Sequence, residues 1–186
     1  MAANDEKKEF MKQVTILVDT REQVNSHITE VFSNLGIMWE TQKLDLGDYS
    51  FRIGDKEFSR ACVIERKADV DELYGNITSD RERIEKELDG LSKNARQVTL
   101  MLENCSGWEH LRGFELPELT ADRQGRKVRN IGATVYNTLQ AWRCGNRYGF
   151  GVEFVADSRK SAQKILEVFF WYWHNYRKQT SARRQT

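Results

Sequence analysis

The chain has 186 residues, of which 39% are hydrophobic and 11% aromatic, and its formal net charge is only +1. This length and composition predict one globular domain and exclude a disordered or collagen-like chain. The small net charge hides a division, because residues 1–110 carry 15 basic and 22 acidic side chains (−7), whereas residues 111–186 carry 14 and 6 (+8).

The first half of the chain begins with an apolar run and a helical pattern. Residues 14–18 are mostly β-branched and apolar, which is typical of a buried strand. Residues 27–35 repeat apolar side chains at helical spacing, and Gly36 is a suitable helix stop. Three extended segments follow and predict a meander of adjacent strands. They cover residues 37–45, 48–53 and 57–65.

From residue 70 onward, the chain alternates helical and extended patterns and contains a basic, irregular stretch at 112–130. The predicted helices cover 70–93, 131–143 and 159–178, and the predicted strands cover 97–103 and 151–155. Strands in a meander that then alternate with helices predict one α/β domain, a central mixed β-sheet flanked by helices. We expect this domain to span residues 13–178, between a flexible N-terminus (1–12) and a basic disordered tail (179–186).

Acidic side chains stand where three of the predicted strands end or bend. The motifs are VDTRE at 18–22, LGDY at 46–49 and ERK at 65–67. Each motif taken alone more often marks solvated surface charge or a salt bridge than a functional site. The ERK motif is harder to explain as surface, because its charges interrupt an apolar run.

Glu65 ends its predicted strand and Arg66 and Lys67 follow directly. Because alternate residues of a strand point the same way, Glu65 and Lys67 are expected to share a face. If Asp48 lies on an adjacent strand, two carboxylates and one ammonium converge at one edge of the sheet. Mg²⁺ favours one or two carboxylates with retained waters. Such an ion polarises a phosphodiester and activates a bound water, and a neighbouring lysine stabilises the transition state. The motifs therefore favour metal-dependent phosphodiester hydrolysis.

In this order, VDTRE, LGDY and VIERKADVD (63–71) resemble the XPF-type nuclease domain of the ERCC family. The family pattern is Gly-Asp, then Glu-Arg-Lys, then three residues and Asp, and the resemblance covers nearly the whole chain. It implies a restriction-endonuclease-like fold and an endonuclease that cuts branched, flapped or junction DNA in repair, recombination or replication. It also implies Mg²⁺ or Mn²⁺ as the cofactor.

The resemblance also implies a role for each matched residue. Asp48 and Glu65 would be metal ligands and Lys67 the catalytic lysine. The neighbouring motif residues would border or support this catalytic site, with Asp19 as a further candidate ligand and Arg21 as a DNA contact. These neighbours are Asp19, Arg21, Glu22, Arg66 and Asp71.

One position departs from the family pattern. Family members usually carry an arginine after the ERK helix, followed four residues later by glutamine. Arg81 matches the arginine, but Glu85 occupies the glutamine position, and Arg83 is an alternative match. Arg81 is a predicted DNA contact on this basis.

The basic irregular stretch and the last helix predict two further surfaces. The basic stretch is predicted to contact DNA phosphates. Such contacts do not depend on the base sequence of the DNA, which suits an enzyme that recognises DNA shape. In the last helix, Phe170 and Trp171 fall outside the core-facing stripe, and such patches mark an interface more often than a stacking site for unpaired bases. The family resemblance also implies a homodimer, and this helix is its predicted interface. The predicted phosphate contacts in the stretch are Arg123, Arg126, Lys127 and Arg129.

Cysteine spacing and hydropathy indicate the compartment. The three cysteines form no Cys-x-x-Cys pair, which excludes a disulfide framework and a thiolate zinc site. No apolar run reaches the ~20 residues of a membrane helix, and the N-terminus is too polar for a secretory signal. We expect an intracellular protein, cytoplasmic in a prokaryotic or viral source and nuclear in a eukaryotic one, with no membrane partner.

Two alternatives to a structure-specific endonuclease stay open from the sequence. The first is a catalytically silent DNA-binding or scaffolding subunit, although such a subunit has no reason to retain Asp48, Glu65 and Lys67 together. The second is a related exonuclease or four-way-junction nuclease.

Overall fold

The computed structural model describes residues 3–116, 130–144 and 147–183. In these ranges the helices are α1 (Ala3–Gln13), α2 (Ser26–Asn34), α3 (Val70–Thr78), α4 (Arg81–Asn94), α5 (Trp108–Gly113), α6 (Ile131–Cys144) and α7 (Ser161–Arg183). The strands are β1 (Val14–Asp19), β2 (Met38–Gln42), β3 (Tyr49–Ile53), β4 (Lys56–Glu57), β5 (Cys62–Lys67), β6 (Gln97–Glu103) and β7 (Gly151–Val155). Among the described helices, none combines the length and apolarity that crossing a bilayer requires.

The seven strands belong to one mixed β-sheet, which confirms the predicted α/β class. The chain divides into two compact units, one formed by Met1–Ile64 with Arg159–Thr186 and the other by Glu65–Ser158. The division falls within β5, so that the ERK motif begins the second unit.

Strand β1 is central to the first unit, and all six of its residues are buried. It pairs in parallel with β2 and antiparallel with β3, and β3 pairs antiparallel with β4 and β5. The prediction of a meander beginning at 37–45 is therefore wrong. Helix α2 carries the chain back along β1, and such a crossover is what places two consecutive strands parallel.

Helix α1 occupies the segment for which the sequence predicts a flexible N-terminus. Phe10 of α1 is fully buried, with ring centroids 6.0 Å from Phe51 and 5.7 Å from Phe170. Phe170 is consequently buried, and the predicted apolar patch on α7 is reduced to Trp171, which is 48% exposed. Helix α7 itself continues to Arg183, beyond the predicted end at 178.

Replacing Phe10 by alanine is expected to lower the free energy of unfolding by about 3–5 kcal/mol, because the change empties a fully enclosed site. Urea unfolding followed by tryptophan fluorescence measures the difference. Val24→Ala is the control: Val24 is 80% exposed, and we expect a change below about 0.5 kcal/mol. Equal unfolding midpoints for Phe10→Ala and the unmodified protein would contradict a stabilising role for α1.

The second unit contains α3 to α6 with β6 and β7, which pair in parallel. The single helix predicted at 70–93 is two helices, because α3 ends at Thr78 and α4 begins at Arg81. Helix α5 has only six residues and was not predicted from the sequence. Its junction with α6 requires glycine at 132, where a Cβ atom would lie 2.0 Å from the Leu111 carbonyl oxygen.

Candidate functional site

Asp19 ends β1, and its buried carboxylate organises the loop that follows. Oδ1 accepts hydrogen bonds from the Arg21 amide at 2.8 Å and from Arg21 Nε at 2.6 Å. Oδ2 accepts one from the Leu44 amide at 2.6 Å. Burial by itself raises the pKa of Asp19, but the hydrogen bonds from Arg21 and Leu44 outweigh it and hold the pKa below its ordinary value. Asp19 is therefore an ionised anchor for two loop segments.

Replacing Asp19 by asparagine is expected to lower the free energy of unfolding at pH 7 by about 1–3 kcal/mol, because an amide has one acceptor oxygen for three donors. The lowered pKa means that the carboxylate stabilises the fold above its ordinary value of 3.8 and loses this effect as the pH falls through the folded value. Urea unfolding at several pH values should therefore show the two proteins converging in acid. A difference that stays constant down to pH 2 would contradict this role.

Asp48 directly precedes β3 and is held by main-chain hydrogen bonds on both sides. The Asp19 amide donates to the Asp48 carbonyl at 2.8 Å, and the Asp48 amide donates to the Ile64 carbonyl at 2.8 Å. Gly47 has φ +67°, and a Cβ atom there would lie 2.9 Å from the same Ile64 oxygen. The glycine of the Gly-Asp motif is thus required by a left-handed backbone in close contact with β5.

The ERK residues of β5 are all buried, and they point to alternate faces. Lys67 Nζ donates to Glu65 Oε1 at 2.8 Å, and each of these side chains is only 7% exposed. This pair confirms that Glu65 and Lys67 share a face. Arg66 instead donates to Glu103 Oε2 at 2.7 Å, and both of these side chains are buried. Arg66 therefore belongs to a second ion pair, which links β5 to the end of β6.

Glu72 lies beside this pair and was not predicted from the sequence. Its Oε1 is 3.8 Å from Lys67 Nζ, and its Oε2 accepts a hydrogen bond from the Ala68 amide at 2.8 Å. The Glu72 amide donates to Asp69, the N-cap of α3. An N-cap aspartate with glutamate three residues later is a helix-start signal that could have identified Glu72. Asp71 is exposed on the first turn of the same helix.

The other predicted residues fall in several places. Glu22 lies in the loop after β1, where its amide donates to the Asp19 carbonyl at 3.1 Å. The Arg21 side chain is 65% exposed while bound to Asp19, and Arg81, the first residue of α4, is 50% exposed. Four predicted DNA contacts lie outside the described residues: Arg123, Arg126, Lys127 and Arg129.

The donor groups of the predicted metal site are carboxylates. Within the described ranges, the structure contains no group of three or more His, Cys, Asp and Glu side chains suited to a metal ion. The predicted ligands Asp48 and Glu65 are nevertheless carboxylates, and oxygen donors of this kind fit hard ions such as Mg²⁺. Asp19 fits less well, because both of its oxygens already accept hydrogen bonds.

Known proteins resemble this chain in sequence and in fold. The family model for the ERCC4 domain matches residues 18–165, whereas none of the curated proteins matches. XPF from Aeropyrum pernix is structurally similar, with a TM-score of 0.57 and 18% identity, over 83% of this chain and 59% of that one. The same protein in complex with DNA gives a TM-score of 0.56 and 19% identity, over 83% and 62%.

The structural match shows a shared fold, and the chain spans about three fifths of the length of those structures. The family match begins at Val18 and includes the VDTRE, Gly-Asp and ERK motifs. Because it covers most of the sequence, the chain belongs to the ERCC4 domain family.

Proposed function

We propose that this chain is a divalent-metal-dependent endonuclease that hydrolyses phosphodiester bonds in branched, flapped or junction DNA. The observation that carries the proposal is the buried pair of Lys67 and Glu65, 2.8 Å apart at the end of β5 in an ERCC4 domain. Burying two charges has a desolvation cost that apolar residues of similar volume would avoid. A buried pair with this cost in the ERK motif therefore marks a candidate functional site.

Asp48 and Glu65 are the residues that would hold Mg²⁺ or Mn²⁺, with Asp19 as a weaker candidate. Support comes from the main chain, since the Asp48 amide is hydrogen bonded to Ile64, the residue before Glu65. When bound, the ion polarises the phosphodiester and lowers the pKa of a water molecule. The protein's part is to present one carboxylate from the residue before β3 and one from β5.

Lys67 supplies a positive charge that stabilises negative charge developing on the phosphate oxygens. Glu65 fixes the direction of its ammonium, and a Glu72 carboxylate oxygen lies 3.8 Å from the same nitrogen. Arg66 acts as a positioning residue through Glu103. Supporting roles for Arg21, Glu22 and Asp71 stay predictions.

DNA is the proposed partner because the similar XPF from Aeropyrum pernix has been solved in complex with DNA. Arg21 and Arg81 offer exposed guanidinium groups in this chain.

A homodimer through α7 also stays a prediction, which now depends on Trp171. Light scattering of the unmodified protein and of Trp171→Ala tests it, with a smaller mass expected for the variant.

The proposed activity is tested with end-labelled flap, fork, four-way-junction and linear duplex DNA of one sequence, in Mg²⁺, Mn²⁺ or EDTA. We expect metal-dependent cuts near the branch point of the flap and fork, and their loss in Asp48→Ala and Glu65→Ala. Unchanged cleavage in either variant would contradict the assignment.

Other product patterns identify the alternatives. DNA binding without hydrolysis in any divalent ion indicates a silent subunit. Stepwise shortening from a DNA end indicates an exonuclease, and paired cuts confined to the four-way junction indicate a junction nuclease.

A further inference from the structure

Two arginines from different elements of the second unit bind one carboxylate. Arg81 Nε donates to Glu85 Oε1 at 2.9 Å. Arg147, which follows α6, donates from Nη2 to Glu85 Oε2 at 2.7 Å and from Nη1 to Oε1 at 3.4 Å. Glu85 therefore joins α4 to the segment between α6 and β7, 62 residues further along the chain.

The guanidinium groups of this cluster are more exposed than the carboxylate that holds them. Arg81 and Arg147 are 50% and 53% exposed, whereas Glu85 is 21% exposed. The guanidinium carbon of Arg81 lies 5.6 Å from the ring centroid of Trp142, and that of Arg147 lies 5.1 Å from the ring of Tyr148. Each arginine is thus held by an aromatic ring and by Glu85, and about half of its side chain faces solvent.

The charge and the donor geometry of the cluster suit an anion. Two guanidiniums against one carboxylate leave one net positive charge. Each guanidinium has five N–H donors in a rigid fork, and the bonds to Glu85 use one donor of Arg81 and two of Arg147. The remaining donors match the spacing of phosphate oxygens, which guanidinium groups bind in pairs.

Arg83 also lies on α4, but its ion pairs differ from those of Arg81. It pairs with Asp80 and Glu87 at 3.6 Å each, both on or next to its own helix. Its single positive charge therefore faces two carboxylates, which leaves a net negative charge. This difference assigns the anion-binding role to Arg81 and makes Arg83 a matched comparison.

We propose that Arg81, Arg147 and Glu85 form a phosphate-binding site for the DNA backbone, in which Glu85 positions the two guanidiniums. The DNA identity of the ligand rests on the proposed function. The proposal also explains an acidic residue in a surface that contacts DNA. A glutamine at 85 has one acceptor oxygen, whereas the carboxylate has two and holds both arginines.

Two roles for Glu85 predict opposite effects of its removal on DNA affinity. If Glu85 merely repelled DNA, removing its charge would strengthen binding. If it positions Arg81 and Arg147, Glu85→Ala weakens DNA binding about fivefold although the protein becomes more positive. The DNA affinity of Glu85→Gln should lie between those of the unmodified protein and Glu85→Ala, because its single acceptor oxygen can hold one arginine.

The test is fluorescence anisotropy of a labelled flap DNA in EDTA, over a range of KCl concentrations. Arg81→Ala and Arg147→Ala should each weaken binding roughly five- to tenfold near 0.1 M salt and reduce the salt slope by about one. Arg83→Ala, at 56% exposure, removes the same charge from the same helix and should weaken binding about twofold or less. Tighter binding by Glu85→Ala would overturn the proposal, as would an equal loss in Arg83→Ala.

A second measurement separates this proposal from the proposed function. Inorganic phosphate is titrated into ¹⁵N-labelled protein, and the arginine Nε–H signals are followed by NMR. Saturable shifts of the Arg81 and Arg147 signals that are lost in Glu85→Ala support the site even in a protein that cuts no DNA. Absent shifts, or shifts shared equally by Arg83, overturn the site even where cleavage is established.

Discussion

Lys67→Ala and Lys67→Gln are each expected to lower the single-turnover rate of DNA cleavage by about 10²–10³-fold. The expected loss is in the chemical step, because the proposed role of Lys67 is to stabilise charge that develops in the transition state. Its side chain is only 7% exposed, so DNA affinity measured in EDTA should change little. Single-turnover assays with excess protein on the flap substrate measure the rate.

The two substitutions differ in their effect on the fold. Lys67→Ala leaves the Glu65 carboxylate buried without its ammonium, which costs about 3–5 kcal/mol of stability. Lys67→Gln keeps an N–H donor for Glu65 Oε1 while it removes the charge. A variant that unfolds near the midpoint of the unmodified protein and yet fails to cleave DNA separates catalysis from stability.

Lys93→Ala is the matched control for charge. Lys93 is 70% exposed and pairs with Asp89 at 2.6 Å along α4, in the same unit as Lys67. Its loss should leave the cleavage rate within about twofold, because surface pairs contribute little. Cleavage by Lys67→Gln at the rate of the Lys93→Ala control would show that Lys67 is not catalytic.

Side-chain alternation predicted the faces of the ERK residues, although the predicted strand ended at residue 65 and β5 continues to Lys67. The alternation of side chains along a strand is a property of the backbone alone, and it placed Glu65 and Lys67 on one face. The observed hydrogen bond between them follows directly. The same rule assigns Arg66 to the other face, but its partner, Glu103, comes from a strand 37 residues further on. The sequence offers no signal for which carboxylate fills that position.

Long-range packing explains what the sequence did not reveal. About half of the residues of α1 are charged, and its packing is visible only in three dimensions, where Phe10 lies against Phe170 and Glu6 is hydrogen bonded to His174. The pairing of β2 with β1 depends on the path of α2, which the order of segments along the chain does not specify. The bond between Glu85 and Arg147 is likewise visible only in three dimensions.

Gly47→Ala is expected to lower the free energy of unfolding by about 2–5 kcal/mol and to abolish cleavage. A left-handed backbone costs a residue with a Cβ atom about 1–2 kcal/mol, and overpacking adds about 1–3. Gly47 has φ +67°, and the added atom would lie 2.9 Å from the Ile64 oxygen and 3.2 Å from Val63 Cβ. Relief requires a backbone shift, since the nearest contact is a carbonyl.

Gly54→Ala separates the cost of the left-handed backbone from the cost of overpacking. Gly54 has φ +55° and no atom within 4 Å of an added Cβ, so only the conformational cost of about 1–2 kcal/mol applies. Urea unfolding of both variants therefore isolates the cost of the close approach at Gly47. The Ile64 carbonyl also accepts the Asp48 amide hydrogen, so the shift that accommodates the methyl group displaces a proposed metal ligand. A Gly47→Ala protein as stable and active as Gly54→Ala would contradict both the close contact and its link to Asp48.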